Sequence, residues 1–171
     1  MKKLLTYSLV FTAYCLPLAA CGFQPMYGSH SASMEKTEAG QSMADIDIAY
    51  IEDREGQILR NELIDMIQPR GASQNPRYNL TFSKLTITDR ELDLTKSSEA
   101  TRAQVITTIV MNLTDNESGE LVLARSLRSI SSYNILPSEF ATNVTEEDAT
   151  ENALKDLARQ IQLQLSLHFN R

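Results

Sequence analysis

The chain has few of the residues on which most enzyme chemistry depends. Its 171 residues include two cysteines, two histidines and no tryptophan. Both cysteines, Cys15 and Cys21, lie within the first 21 residues, so a disulfide, a thiol nucleophile and a cysteine zinc site are excluded from residue 22 onward. His30 and His168 have no metal-ligand neighbours at helix or turn spacing. The sequence therefore predicts no metal and no cofactor.

Catalytic motifs are missing as well. There is no Gly-x-Ser-x-Gly turn, no phosphate-binding loop and no His-Glu-x-x-His motif. The carboxylates are scattered except for the run from Glu146 to Asp148, which we interpret as the acidic start of a helix. A hydrolase with carboxylates paired from distant parts of the sequence remains an alternative. We predict that the protein is not an enzyme.

Positive charge is scarce. Lysine and arginine total 16 against 22 acidic residues, which gives a formal net charge of −6. This balance argues against binding of nucleic acid through bulk charge. Contact with an anionic lipid would need a local basic patch.

The start of the chain has the pattern of a secretory signal. Lys2 and Lys3 precede an apolar run, Leu4 to Ala20, that ends in small residues. The run is shorter than the roughly 20 residues that a membrane-spanning helix needs, and no positive segment follows it. We predict that residues 1–20 are removed. Because this removes two lysines and no acid, the net charge would become −8.

The end of the signal resembles the bacterial lipobox in its Leu-Ala-Ala-Cys sequence, residues 18–21. The resemblance implies cleavage after Ala20 and lipidation of Cys21, and two or more acyl chains would give a stable membrane anchor. Gly22 replaces the Asp that retains enteric lipoproteins in the inner membrane, which favours the outer membrane. An ordinary signal followed by a chance cysteine is the alternative.

Composition divides the remaining chain into two parts. Residues 27–43 are small, polar and unpatterned, which is typical of a flexible linker. The predicted organisation is therefore a lipoprotein signal peptide over 1–20, a lipidated N-terminus and tether over 21–43, and a single domain over 44–171.

Hydrophobic periodicity predicts the elements of this domain. A first strand alternates through Ile46, Ile48 and Tyr50, and a helix spans roughly Glu55 to Gln68. Three strands follow, at Arg77–Thr88 with a bulge near Ser83-Lys84, at Arg102–Leu113 in the centre of the sheet, and at Leu121–Tyr133 after a hairpin turn containing Gly119. A loop over 132–143 leads to a long helix starting at Thr145. The order β-α-β-β-β-α favours an α+β two-layer sandwich, a four-stranded mixed or antiparallel sheet with two helices on one face.

The last helix has apolar residues on two sides. Its core stripe consists of Leu154, Leu157, Ala158, Ile161 and Leu165. Leu163 and Leu167 lie on the side opposite Leu154. Either another part of the chain covers them, or they form a partner surface, since exposed apolar patches commonly mark interfaces.

Five fragments in order resemble one family. They are CGFQPMYG after the signal, LRNELIDMI in the first helix, ATRAQVITTIVMNL in the central strand, RSISSYNILPSEFA after the fourth strand, and ALKDLARQIQLQL in the last helix. With the lipobox, they resemble the lipopolysaccharide-assembly lipoprotein family LptE. The resemblance implies a non-catalytic outer-membrane lipoprotein, anchored on the periplasmic side, that plugs the LptD β-barrel and assists lipopolysaccharide transport. The alternative is an envelope lipoprotein serving as an accessory subunit of another transport or assembly complex.

Lipopolysaccharide carries phosphates and acidic sugars, so its binding requires Lys or Arg. The resemblance implies basic residues near strand-connecting loops, and our first choices are Lys96 and Arg102, which flank one loop, followed by Lys84. Arg125 and Arg128 are an odd number of residues apart and should point to opposite faces of a regular strand. For each residue, a solvated charge is the alternative.

Overall fold

One long strand, in which buried and exposed residues alternate, lies at the centre of the fold. The computed structural model describes residues 42–92 and 101–170, beginning with a helical turn at 42–44. The elements that follow are β1 (Ile46–Ile48), α1 (Asp53–Ile67), β2 (Tyr78–Phe82), β3 (Thr86–Glu91), β4 (Arg102–Asp115), β5 (Leu121–Asn134) and α2 (Glu139–Phe169). In β4, every second residue from Ala103 to Asp115 is buried, which confirms the predicted central strand.

The sheet is mixed. β1 pairs with β2 in parallel, whereas β2 and β3 both pair antiparallel to one side of β4, and β5 pairs antiparallel to the other side. The predicted α+β class is confirmed. Within the described part of the chain the sheet has five strands rather than four, because the strand predicted over 77–88 is broken into β2 and β3.

The break between β2 and β3 is a β-bulge. Phe82 lies opposite Met111 and Thr86 lies opposite Thr108, so three residues of the broken strand face two residues of β4. The extra residue restores Leu85 to the face on which Leu80 is buried, since side chains otherwise alternate strictly. The bulge predicted near Ser83-Lys84 therefore allows apolar residues on both sides of it to share one core.

Both helices lie on the same face of the sheet. The core between the layers combines buried residues of both helices with the inward residues of the strands. The predicted stripe of α2 is confirmed, because Leu154, Leu157, Ala158, Ile161 and Leu165 are all fully buried. Leu59, Leu63 and Ile67 make the equivalent stripe of α1.

The segment between β1 and α1 differs from the prediction. β1 ends at Ile48, Tyr50 is 70% exposed, and Ile51 fills the core position instead, because the chain turns after Ile48. Ile51 packs directly on α1 at Gly56, where a Cβ atom would lie 2.7 Å from the Ile51 Cγ2 atom. Only glycine allows this close approach without a shift of Ile51.

The start of α2 was also predicted wrongly. The helix begins at Glu139 rather than Thr145, because Ser138 caps it by accepting a hydrogen bond from the Ala141 amide. The run from Glu146 to Asp148 is therefore inside the helix and not at its start. The hairpin between β4 and β5 is confirmed, with Gly119 at a φ of 70°.

Candidate functional site

No helix among residues 42–92 and 101–170 covers the outward face of β3, β4 and β5. The helices bury four alternate residues of β4, namely Ala103, Val105, Thr107 and Ile109. The β4 residues that alternate with these four, and the residues opposite them on β3 and β5, therefore point away from the helices. We call this surface the open face. It comprises Thr86, Thr88, Arg90, Arg102, Gln104, Ile106, Thr108, Val110, Ser126, Arg128, Ile130, Ser132 and Asn134. In a chain with an excess of acids, this surface contains three arginines and no carboxylate.

Two of these arginines are neighbours. Arg90 lies opposite Gln104, and Arg102 precedes Gln104 by two residues on the same face of β4. The two arginines are therefore diagonal cross-strand neighbours, roughly 7–8 Å apart. Both are exposed, and neither has an ion pair with any residue in the described ranges. Asp89 and Glu91 are adjacent in sequence but point to the other face. We call Arg90 and Arg102 the arginine pair.

The structure separates the basic residues that the sequence put forward. Arg102 belongs to the arginine pair, whereas Lys96 lies outside the described residues, in the stretch 93–100 that connects β3 to β4. Lys84 is in the β-bulge beside Val110, eight residues of β4 away from Arg102. That is roughly 27 Å at strand spacing, so Lys84 and Arg102 cannot grip one headgroup phosphate together.

The remaining arginines of β5 point in different directions. Arg128 lies opposite Thr108 on the open face, whereas Arg125 lies opposite the buried Met111 and points to the helix side. This arrangement follows the expected alternation of the strand. Arg90 was missed because the second strand was predicted to end at Thr88. Recognising it requires knowing that the strand continues past the bulge and pairs with β4.

The helix side carries the opposite charge. A cleft of about 280 Å³ at the start of α1 and the first half of α2 is lined by Glu55, Glu146, Glu147 and Glu151, with Arg54 among them. Arg54 Nη2 lies 2.6 Å from Glu147 Oε1, and this hydrogen bond raises the pKa of Arg54. The excess of carboxylates makes this cleft unsuitable for an anionic lipid. Within residues 42–92 and 101–170, no group of three or more His, Cys, Asp or Glu side chains could hold a metal ion.

The turn at the other end of β4 has a structural role. Asp115 accepts hydrogen bonds from the backbone amides of Glu117 and Ser118, and these bonds, followed by the weaker influence of Arg77, lower the pKa of Asp115. The same carboxylate lies 3.4 Å from Arg77 Nε. The turn is thereby fixed to the start of β2.

Leu163 and Leu167 are 56% and 54% exposed. They are therefore not wrapped by another part of the described chain, and their contact with a partner remains a prediction. No described helix is both long enough and apolar enough to cross a membrane.

Solved structures of several lipoproteins share this fold. A lipoprotein from Caulobacter crescentus CB15 superimposes with a TM-score of 0.62 at 23% identity, covering 77% of this chain and 96% of its own. A minor lipoprotein from Acinetobacter baumannii gives 0.55 at 21% identity, with 71% and 88% covered. Rare lipoprotein B from Shewanella oneidensis gives 0.55 at 12% identity, with 73% and 95% covered. At these identities the likeness establishes the fold.

The family is established by sequence. The lipopolysaccharide-assembly family LptE matches residues 43–165, which is well over half of the chain, and the chain belongs to this family. No curated protein sequence matches it. The protein is therefore a lipopolysaccharide-assembly lipoprotein of the cell envelope, associated with the lipopolysaccharide transport machinery.

Proposed function

We propose that the protein plugs an LptD-type β-barrel from the periplasmic side of the outer membrane and assists the delivery of lipopolysaccharide, without catalysing a reaction. The observation that carries the proposal is the family match over residues 43–165, which spans nearly the whole described domain. Barrel interiors of outer-membrane proteins are polar. The hydroxyl and amide side chains that dominate the open face suit such surroundings.

The membrane anchor is the lipid on Cys21, exposed by cleavage after Ala20. Residues 21–43 form the tether, and residues 44–171 form the domain. Met43, the last residue of the tether, is buried in the core and so attaches the tether to the domain. Mass spectrometry of the purified protein should find a lipidated cysteine as the first residue. A free thiol at Cys21, or an intact leader, would contradict this anchor.

Lipopolysaccharide binds to the arginine pair together with Lys96. Phosphate groups favour guanidinium ligands because paired N–H donors match phosphate oxygens. The arginine pair offers two such groups on neighbouring strands, free of acidic partners in the described structure, and Lys96 belongs to the segment that joins those strands. Lys84 is too distant to join this site and is assigned no role in it.

The barrel partnership is tested by purification in mild detergent. The lipoprotein should elute from outer-membrane extracts together with a large β-barrel, identified by mass, and depletion of the lipoprotein should leave that barrel misassembled. Elution of the lipoprotein alone, with normal surface lipopolysaccharide after depletion, would instead favour the accessory-subunit alternative.

The lipopolysaccharide site is tested by charge reversal. Lys96→Glu combined with Arg102→Glu, and separately Arg90→Glu, should weaken lipopolysaccharide binding by roughly tenfold or more, since each charge-assisted hydrogen bond contributes about 1.5–3 kcal/mol. Barrel association should persist. Arg125→Glu is the matched control, because it makes the same charge change on the other face. Equal losses for Arg125→Glu and Arg90→Glu at fixed salt would exclude the arginine pair as the site.

A further inference from the structure

The two edges of the sheet are protected to different degrees against pairing with another strand. On the β3 side, the strand is only six residues long and carries Asp89 and Glu91 among its last residues. Short edge strands and charged side chains are common ways in which proteins prevent unwanted strand pairing. On the other side, β5 is an edge strand of 14 residues that, among the strands the structure describes, pairs with β4 alone. It contains neither acidic residues nor proline.

The backbone groups of β5 alternate between β4 and solvent. The Arg102 and Val110 carbonyls of β4 accept hydrogen bonds from Leu92 and Ser83, so even-numbered residues of β4 face the β2 and β3 side. Odd-numbered residues of β4 therefore bond to the odd-numbered residues opposite them on β5. The N–H and C=O groups of Ser126, Ile130 and Ser132 consequently point away from the sheet.

Side chains of α2 protect this edge only in part. Gln160 Nε2 donates to the Arg128 carbonyl at 3.2 Å, and Thr145 Oγ1 donates to the Asn134 carbonyl at 3.2 Å. Within the described residues, no side chain bonds to the outward backbone groups of Ser126, Ile130 or Ser132. Nearer the start of β5, Arg125 Nη1 donates to the outward carbonyl of Ala124 at 2.8 Å. The edge is thus bordered by α2 but left open between the Gln160 and Thr145 contacts and, on the other side of Arg128, at Ser126.

The two exposed leucines of α2 border the same edge. Asp156 faces β5, since it accepts a hydrogen bond from Ser129 Oγ at 2.9 Å. Leu163 and Leu167 follow Asp156 by seven and eleven residues, about two and three helical turns, and so lie on the same side of the helix. Because α2 runs antiparallel to β5, they lie toward the first half of the strand, where Arg125 points to the helix side.

We propose that β5 and this side of α2 form a docking groove for an extended segment of another polypeptide. The segment adds to the sheet as a strand through the backbone groups of Ser126, Ile130 and Ser132, and its apolar side chains contact Leu163 and Leu167. Strand addition beside a helix is a recurring mode of peptide recognition, in which the backbone supplies affinity and side-chain pockets supply specificity.

Charge distinguishes between the occupants of the groove. Arg125 and Arg128 are both exposed and have no ion pair in the described structure, so a segment that carries carboxylates is favoured. A second copy of β5 would place the same arginines against each other, which is unfavourable. Strands within a closed barrel wall have no free edge. The segment is therefore a loop or terminus of the partner polypeptide, and only the identity of that partner rests on the proposed function.

The test is photo-crosslinking of the full-length lipoprotein in the cells that produce it. A photoreactive amino acid is placed at Ser126 or Ser132 on β5, and at Asp89 on β3 as the matched edge control. We expect one crosslinked polypeptide from both β5 positions and none from Asp89, with the crosslinks mapping to a single short segment of that polypeptide.

Proline shows whether the contact is a backbone ladder. Ile130→Pro removes only an outward N–H, which edge strands tolerate, and should abolish the crosslinks, whereas Ile130→Thr should retain them. Leu163→Glu with Leu167→Glu gives a second test that leaves β5 intact and should reduce the crosslinks at least fivefold. Val144→Ser is its control, since Val144 is equally exposed on another side of α2.

Four results would overturn the proposal. They are an absence of product from β5, equal products from Asp89, products unaffected by Ile130→Pro and by the leucine substitutions, and a product consisting of two copies of this chain. If the crosslinked polypeptide is not a β-barrel protein, the docking groove stands and the proposed barrel partnership fails.

Discussion

The two faces of the sheet are made by the same strands but have opposite compositions. On β4, Val105 and Ile109 point under the helices and are fully buried, whereas Arg102 and Gln104 point to the open face. The alternation of a single strand therefore separates the residues that stabilise the fold from those available to a ligand. We expect substitutions on the covered face to change stability, and substitutions on the open face to change binding.

The largest expected contrast lies between two valines of β4. Val105 is completely buried and Val110 is 36% exposed on the other face. Val105→Ala should lower the free energy of unfolding by about 2–3 kcal/mol, because two buried methyl groups are lost and a cavity remains. Val110→Ala should cost less than about 1 kcal/mol. Urea unfolding of the two variants measures the difference, and equal losses would mean that the faces do not differ in packing.

Gly56→Ala tests how tightly the covered side is packed. The new methyl group would meet Ile51 at 2.7 Å, so overpacking should exceed the roughly 1 kcal/mol that alanine gains over glycine in a helix. We expect a net loss of about 1–2 kcal/mol in thermal or urea unfolding. Asn61→Ala, at an exposed position of α1, should be neutral or slightly stabilising. Stabilisation by Gly56→Ala would show that Ile51 moves aside freely.

Urea unfolding at low pH tests the polar contact between α2 and β5. Asp156 accepts hydrogen bonds from Gln160 at 2.8 Å and Ser129 at 2.9 Å, which lower its pKa. Because the folded pKa lies below the unfolded one, the stabilisation is present above about pH 4 and is lost as pH falls through the folded pKa. Asp156→Asn should therefore weaken the decline of the urea midpoint between pH 5 and pH 2.

Asp65→Asn, an exposed change on α1, is the control for the acid experiment. Its acid decline should match that of the unaltered protein. A decline that is the same in all three proteins would mean that protonation of Asp156 does not affect the attachment of α2 to β5.

The smallest effect is expected at the ion pair between α1 and α2. Arg54 and Glu147 lie 2.6 Å apart, but their side chains are 67% and 55% exposed. Exposed ion pairs contribute little because water and salt screen them. Arg54→Ala should leave the urea midpoint unchanged within error. A clear fall in the midpoint at physiological salt would show that the carboxylate-lined cleft between α1 and α2 is structurally important.

Periodicity alone predicted much of the covered face. The alternation of β4, the Gly119 hairpin, the bulge after Phe82 and the leucine stripe of α2 each follow from patterns of neighbouring residues. The start of α2 was missed because Ser138 and Thr145 are both suitable caps. Local sequence does not determine which of them the chain uses.

The open face was harder to predict because it depends on pairing between distant strands. Arg90 becomes a neighbour of Arg102 only through the register of β3 against β4. Lys84, predicted as a further basic contact after Lys96 and Arg102, is separated from Arg102 by eight residues of β4. Charge carries no periodic pattern from which such neighbours could be deduced.

The length of β4 has a further consequence. The preceding chain joins the sheet at the Asp115 end, where Ile46 pairs with Tyr78 and Tyr78 pairs with Asp115. Arg102 is at the opposite end, about 44 Å away at strand spacing, which is comparable to the full thickness of a bilayer including its headgroups. Under the proposed function, β4 sets the distance between the anchored end of the domain and the arginine pair, and deleting matched pairs of residues from β4 and its neighbours would shorten that distance without altering the chemistry of the guanidinium groups.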